Sequence, residues 1–422
     1  MSRRVGITGI GVVAPDAIGT KNLWTLLTEG RTGTRRITTF DPSPFRSQIA
    51  AAVDFDPARE GLTEATIQRL DRATQFALVA AREALTDSGI PPDPERAHRL
   101  GVSIGNAVGC TQRLEQEYRT LSDDGQRWLV DHTRGHPRLY DFFVPSSMAV
   151  ELAWLVGAEG PATVVSAGCT SGIDSIGYAC ELIREGTADV MITGGADAPI
   201  APITVACFDA IKATSPRNDT PEAACRPFDR TRNGFVLAEG AAILVLEELE
   251  SAHRRGAHVY AEIAGFASRS NGYHMTGLRT DGKEMAAAIT AALAEARLAP
   301  MAIDYVNAHG TATKQNDRHE TAALKRSLGA HAYDVPISSI KSMIGHSLGA
   351  IGSIETAATA LAIEHDVVPP TANLCEPDPE LDLDYVPLTA REQRVDRALT
   401  VGSGFGGFQS AMILTSADRR SA

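Results

Sequence analysis

The chain of 422 residues is 43% hydrophobic, holds 37 glycines and 5% aromatics, and carries a net charge of −12. That length is enough for a large core and two or three domains, and the wealth of turn residues suits an α/β fold. The acidic balance, with no basic run, argues against a nucleic-acid ligand, while a local basic patch for an acidic partner stays open. The cysteines at 110, 169, 180, 207, 225 and 375 form no CxxC pairs, which argues against a zinc site and a disulfide framework. No apolar run approaches the ~20 residues that span a bilayer. Met1-Ser-Arg-Arg-Val-Gly6 leads into a strand without a signal-peptide hydrophobic region, so a soluble cytoplasmic protein is expected.

In chain order, residues 4–14 read as a strand. Its Gly-Ile-Thr-Gly-Ile-Gly has the wrong spacing for a dinucleotide loop, and no helix opens after it. A helix is expected over 67–88, with Leu70, Ala73, Phe76, Ala77 and Ala80 on one face, stopping at Ser88-Gly-Ile-Pro-Pro92. Leu100–Gly105 is a strand that ends at Asn106-Ala107. The β-branched run Thr163-Val-Val165 reads as a buried strand. Ala167, Gly168 and Cys169 follow, then a helix with Ile173, Ile176, Cys180 and Ile183 on one face. Strand, tight turn and helix make the geometry of a nucleophile elbow. The helix N-terminus at that turn favours ionisation of the thiol; the plain alternative is a buried structural cysteine. A strand over 189–193 is expected to end at Gly194-Gly195.

Similar elements then return. A helix over 286–297 stops at Leu298-Ala-Pro300, and a strand over 303–308 ends at His309-Gly310. A strand over 335–340 leads through the loop Lys341–His346 into a small-residue helix from about 347 to 364. A strand over 398–401 ends in glycines 402, 404, 406 and 407. The matched order implies an internal duplication, with halves 1–252 and 253–422. Glu247–Gly256 reads as a charged helix end and not a flexible linker, so one compact body is expected.

His309, Lys341 and His346 all stand where strands end. Matched strand ends of a duplicated α/β unit lie side by side, so these side chains should converge on the Cys169 turn, where ligand sites of such sheets form. A thiol with two imidazoles suits nucleophilic acyl transfer. Taken singly, each has a plainer reading: a structural histidine, a lysine paired with a carboxylate such as Glu355 or Glu320, an ordinary glycine turn at 402–407.

Taken together, Cys169 in Ala-Gly-Cys-Thr-Ser-Gly, His309 in His-Gly-Thr-Ala-Thr, Lys341 and His346 in Lys-Ser-Met-Ile-Gly-His-Ser-Leu-Gly-Ala, and Gly404-Phe-Gly-Gly407 resemble the β-ketoacyl synthases. The resemblance runs from Val5 to about Leu414 and includes Arg226-Pro-Phe-Asp229 and Gly234-Phe-Val-Leu-Ala-Glu-Gly240. Within the family the chain is most similar to the ketosynthase α subunit of bacterial type II aromatic polyketide synthases. The pointers are Gly168-Cys-Thr-Ser-Gly-Ile-Asp174, Lys314-Gln-Asn-Asp-Arg-His-Glu-Thr-Ala322 and Asp384-Tyr-Val-Pro-Leu-Thr-Ala-Arg-Glu392. Fatty-acid relatives usually carry Pro or Ala where Lys314 and Gln315 stand, and Thr-Asn where this chain has Phe408-Gln409.

The resemblance implies an α/β, thiolase-like fold: two duplicated halves packed as a five-layered αβαβα body, forming a single ketosynthase domain over 3–416. It implies that Cys169 takes an acyl chain from the phosphopantetheine arm of an acyl carrier protein, with the N–H groups of Cys169 and Phe405 as oxyanion hole. His309 and His346 would bind the malonyl thioester carbonyl as carbon dioxide leaves, and the enolate would attack the acyl-Cys. Lys341 would order the site through Glu320, or as second choice Glu355. Thr311 and Thr313 would hold the pantetheine arm, and Phe405 would gate the acyl pocket. No metal and no bound cofactor are expected. The implied partners are the acyl carrier protein, with Arg69 and Arg72 as candidates to receive it, and a cysteine-lacking chain-length factor in a heterodimer. The alternatives are a homodimeric fatty-acid elongating synthase and a non-catalytic chain-length-factor-like subunit, which has no use for the intact Cys169, His309 and His346. A thiolase would want a second cysteine near the C-terminal glycine turn, and Ser403–Gln409 contain none. A papain-like hydrolase is disfavoured by a buried acyl site.

Overall fold

Ten strands of one large sheet follow an order that occurs twice. In the computed structural model, which describes residues 3–417, they are β1 (Val5–Ala14), β2 (Leu100–Gly105), β3 (Ala162–Val165), β4 (Val190–Asp197), β5 (Gly240–Glu248), β6 (Ala261–Ser270), β7 (Tyr305–Asn307), β8 (Ile337–Ser338), β9 (Arg397–Gly404) and β10 (Phe408–Thr415). Their order across the sheet is β8-β7-β9-β10-β6-β1-β5-β4-β2-β3. Outward from the centre, β1-β5-β4-β2-β3 and β6-β10-β9-β7-β8 are the same sequence of first, last, fourth, second and third strand. The pairing directions repeat as well: two antiparallel contacts, then two parallel ones. The two sets meet through a short antiparallel contact, Gly6 to Glu262 and Ile7 to Ala261. Met1, Ser2 and residues 418–422, the outer limits of the halves expected from the sequence, lie outside the described residues.

Helices make the other layers. The outer face of the first set is covered by α1 (Arg72–Ser88) and the helix Ser147–Val156. Between the two sets lie α2 (Ser171–Arg184) and α5 (Ile351–His365), and the second outer face carries α3 (Lys283–Ala296) with α4 (Lys314–Leu328) packed beside it. This is the five-layered αβαβα arrangement expected from the resemblance. Residues 351–363 of α5 are all buried, as a helix enclosed by protein on every side must be. Its Gly352 allows α2 to come close, since a β-carbon there would stand 2.8 Å from the Ile173 nitrogen. Among the described residues no helix is long and apolar enough to cross a membrane.

Several boundaries differ from the sequence expectation for local reasons. The helix expected over 67–88 is two, Glu64–Arg69 and α1, because Leu70 and Asp71 are extended and the Asp71 carboxylate caps the Thr74 N–H at 3.2 Å. β4 does not stop at Gly194-Gly195 but runs on to Asp197. Gly194, at φ +142°, admits the facing strand so closely that a β-carbon would fall 2.0 Å from the Ala242 carbonyl oxygen. In the same way β9 continues past Gly402 to Gly404. These glycines thin a strand and do not end it.

Candidate active site

The turn between β3 and α2 is braced by its own side chains. Ser171 Oγ accepts from the Ala167 N–H at 2.9 Å and donates to the Gly168 carbonyl at 2.6 Å, and Thr170 Oγ1 lies 2.9 Å from the Ala167 carbonyl. Gly168 takes φ +58°, a conformation that carries no cost without a side chain. Cys169 stands at this turn. The glycine turn after β9 presses against it: a β-carbon on Gly404 would lie 3.2 Å from the Cys169 nitrogen, and the Phe405 N–H donates to the Cys169 sulfur.

Burial pushes the Cys169 thiol up to about 12, against the Lys341 charge and the Phe405 N–H, which both draw it down. Burial therefore opposes the ionisation that the helix N-terminus was expected to favour, because a thiolate in this small pocket loses its hydration.

The matching strand ends bring the rest. After β7 come His309, Gly310 and Thr311, and Thr313 caps α4 by accepting the Asn316 N–H at 3.3 Å. Glu320, one of the buried groups of α4, accepts the backbone N–H groups of His309 at 2.6 Å and Gly310 at 2.8 Å. After β8 the chain makes a helical turn, Lys341–Ile344, then Gly345 at φ +68° and His346. The backbone of His346 is held by Val236 and Ala238. Lys341 and Glu355 of α5 form a fully buried ion pair, and Lys341 Nζ donates to His309 Nδ1 at 3.3 Å. The lysine's partner is thus Glu355 and not Glu320, the first expectation, because both Glu320 oxygens are engaged by the His309 loop.

With Nδ1 accepting from the lysine, neutral His309 carries its proton on Nε2. The imidazoles of His309 and His346 meet edge to face at 5.4 Å, and His346 lies 5.4 Å from the Phe235 ring. Burial, reinforced by Lys341, lowers both histidines well below 6.5, so near neutral pH each is an uncharged ring with one N–H to donate. Burial also raises Glu320 and Glu355, each to about 7.

One pocket gathers Cys169, His309, His346, Thr311, Thr313 and Phe405, with Phe208, Phe235 and Leu348 as its apolar wall. Its enclosed volume is only about 60 Å³, and the hydroxyls of Thr311 and Thr313 lie 2.9 Å apart on its side. Lys341, Glu320 and Glu355 stand behind the histidines. A far larger cleft of about 620 Å³, between Arg72, Gln112, Arg119 and Pro202, contains none of these groups. Its arginines are spent on internal pairs, Arg72 with Glu239, Arg119 with Asp124 and Arg134 with Asp123. Arg69 is likewise held by both oxygens of Glu151. The two arginines expected to receive a carrier protein are therefore engaged in the fold, and Arg72 also lies 4.8 Å over the Phe76 ring.

Sequence reasoning missed several contributors. Phe208 gave no signal, and Phe235 lay inside a quoted motif without a role. Asp197, at the end of β4, is fully buried and accepts from the backbone of Ala107 and Gly349, each at 2.8 Å, tying the loop before the Cys169 face to the loop after His346. Burial raises it to about 7, and its charge works against ionisation of Cys169. Only a strand read through its glycines would have pointed to it.

The family described as Beta-ketoacyl synthase, N-terminal domain matches residues 2–252, and the corresponding C-terminal domain matches residues 260–375. The chain is 66% identical to the tetracenomycin polyketide synthase ketoacyl synthase alpha subunit of Streptomyces glaucescens, over 98% of this chain and 97% of that protein. It is 41% identical to 3-oxoacyl-[acyl-carrier-protein] synthase 2 of Coxiella burnetii, over 98% of each. Among solved structures it is similar to a chain in a complex of a type II polyketide synthase acyl-carrier protein with its ketosynthase bound to a hexaketide, at 38% identity and TM-score 0.93, covering 99% of this chain and 100% of that one. The ishigamide ketosynthase/chain length factor gives 34% identity and TM-score 0.91, covering 99% and 100%.

Proposed function

The chain belongs to the β-ketoacyl synthase family, and we propose that it is the condensing α subunit of a type II aromatic polyketide synthase, a single ketosynthase domain over 3–416 whose halves join at 252 and 253. The observation that carries this reading is the meeting of one thiol and two neutral imidazoles in one small pocket, with a backbone N–H on the sulfur.

The substrates arrive on the phosphopantetheine of an acyl carrier protein. In the first step the Cys169 sulfur attacks the acyl thioester. A carbon–sulfur bond to Cys169 forms, the bond to the pantetheine sulfur breaks, and the thiol proton ends on the departing pantetheine. The N–H groups of Cys169 and Phe405 stabilise the oxyanion of this step, and Thr311 and Thr313 hold the arm. A malonyl thioester then enters. His309 Nε2–H and a His346 N–H donate to its carbonyl, so that as the carbon–carboxylate bond breaks and carbon dioxide leaves, the electron pair is held as an enolate. The enolate carbon attacks the acyl-Cys carbonyl, and the Cys169 sulfur leaves as a thiolate that takes a proton from water. The product is a β-ketoacyl thioester two carbons longer, and repetition without reduction builds a poly-β-keto chain. Lys341 keeps His309 in the required tautomer, and the Glu355 carboxylate offsets its charge.

The partner is a chain-length factor. The β3 edge of the sheet is partly open to solvent, and the helix Ser147–Val156 packed against this strand exposes Trp154. An open sheet edge beside an exposed tryptophan supports a partner on this side. A homodimeric fatty-acid synthase would use the same chemistry, but the identity of 66% to a polyketide synthase alpha subunit against 41% to a 3-oxoacyl-[acyl-carrier-protein] synthase 2 favours the polyketide reading.

The deciding experiment is mass spectrometry of intact products from malonyl-carrier protein, with the protein alone and with its cysteine-lacking partner. Long unreduced chains only with the partner are expected. Efficient elongation of saturated acyl chains by the protein alone would overturn the polyketide assignment.

A further inference from the structure

Of the stretch Lys314–Ala322, which the sequence singled out, the chemistry above uses only Glu320. Gln315 and His319 are left without a task. They stand four residues apart on α4, so they share one face, and that face meets the loop 271–281 between β6 and α3. Gln315 Nε2 donates to the Leu278 carbonyl at 3.2 Å, and His319 Nδ1 lies 2.5 Å from the Arg279 carbonyl. A carbonyl only accepts, so His319 donates from Nδ1. Its ring is 1% exposed and its Nε2 has no partner among the described residues. A buried imidazole thus makes a single hydrogen bond, and makes it to this loop.

The loop is part of the pocket: Thr276 and Leu278 line it beside Gln315. Its other limb is fastened to the glycine turn that covers Cys169. Gly406 N–H donates to the Met275 carbonyl at 2.6 Å, and Asn271 N–H donates to the Gly407 carbonyl at 2.9 Å. The wall is therefore held by the turn at 404–407 on one side and by two side chains of α4 on the other, with Arg279 also paired to Glu284 at the start of α3 at 3.3 Å. Remove the second support and the 276–279 segment keeps its bonds within the loop and the ion pair of Arg279 with Glu284 of α3, while Cys169, His309 and His346 keep all of theirs.

We propose that Gln315 and His319 are positioning residues that set the 276–279 wall against the entering pantetheine arm, and so govern capture of the carrier-bound substrate and not the chemical step. The part concerning pantetheine rests on the ketosynthase reading above. The variants are Gln315→Ala, His319→Ala and the double substitution, with His319→Gln as the conservative replacement whose amide can still donate to the Arg279 carbonyl.

Two readouts are taken on the heterodimer. Hydrogen–deuterium exchange should quicken in 272–281 in the Ala variants, with the amides around 166–172 and 340–348 unchanged. KM for malonyl-carrier protein should rise about fivefold per lost bond, the size of one hydrogen bond, with kcat held and with His319→Gln restoring most of the loss. Unchanged exchange in 272–281 would overturn the proposal. So would quickened exchange spread over the whole second half, or an equal fall of kcat, which mark a merely structural role. If the wild-type protein fails to condense malonyl groups, the ketosynthase reading falls on its own, and the exchange arm still decides whether these two side chains hold the loop.

Discussion

The same strand–turn–helix unit appears once in each half of the molecule, and its two copies do opposite things. β3, the turn at 166–170 and α2 present a sulfur to the pocket with part of its surface open. β8, the longer connection at 339–350 and α5 present Lys341 and His346, both buried, with the lysine charge matched by a carboxylate from its own helix. The first connection is short and tied to itself by Ser171. The second inserts a helical turn and a left-handed glycine, which gives room for an ion pair behind the imidazoles. β3 and β8 stand at opposite ends of the sheet, yet their two turns meet in one pocket, and divergence of the turns gives one a thiol and the other an imidazole. Burial then sets the protonation of each: it keeps the thiol protonated and the imidazoles neutral.

The sharpest way to break this division is to delete each side in turn. Cys169→Ala is expected to abolish the acyl-enzyme mass and all carbon–carbon bond formation, yet to leave release of carbon dioxide from malonyl-carrier protein, because that step belongs to the other turn. His309→Ala or His346→Ala should still load acyl groups but condense about 10²–10³-fold more slowly, as loss of an oxyanion donor does. Intact-protein mass spectrometry and carbon dioxide release separate the two. Loss of decarboxylation in Cys169→Ala, or failure of the histidine variants to load, would mean the turns do not divide the work.

A smaller effect tests what lies behind the second turn. Lys341→Met leaves Glu355 buried without its cation, which should cost about 3–5 kcal/mol, read from urea denaturation at fixed protein concentration. Adding Glu355→Leu should recover most of it, since removing both charges also removes the desolvation cost. A single variant as stable as the parent would show that the pair contributes nothing to folding.

The finest test concerns the first turn alone. With its thiol pushed up to about 12, Cys169 exists as thiolate only in trace at neutral pH, and that fraction grows about tenfold per pH unit below the pKa. Alkylation of Cys169, followed by peptide mass spectrometry, should climb log-linearly from pH 6 to 9 with no plateau. A plateau near pH 7 would instead reveal an ionised nucleophile and return the helix N-terminus to the leading role.

Much of the site was legible before the fold. Cys169, His309 and His346 each follow a strand and stand in short motifs of small residues, a local pattern that needs no knowledge of packing. The choice between Glu320 and Glu355 did not follow from such a pattern, because both are carboxylates on nearby helices; what separates them is that Glu320 is already taken by two loop N–H groups. Arg69 and Arg72 looked like free cations only because Glu151 and Glu239 are far from them in sequence. The break at Asp71 and the run of β4 through its glycines were missed for a related reason, since a cap and a close strand neighbour each override a local propensity.

By itself, then, the sequence determined most element types, the repeat and the strand ends that bring Cys169, His309 and His346 into one pocket, each carried by a short local motif. The tertiary structure alone decided which carboxylate serves which cation, which N–H meets the sulfur and how strongly each group resists ionisation. Those outcomes depend on distances between separate elements and on the exclusion of water among them, and neither is a property of any local stretch.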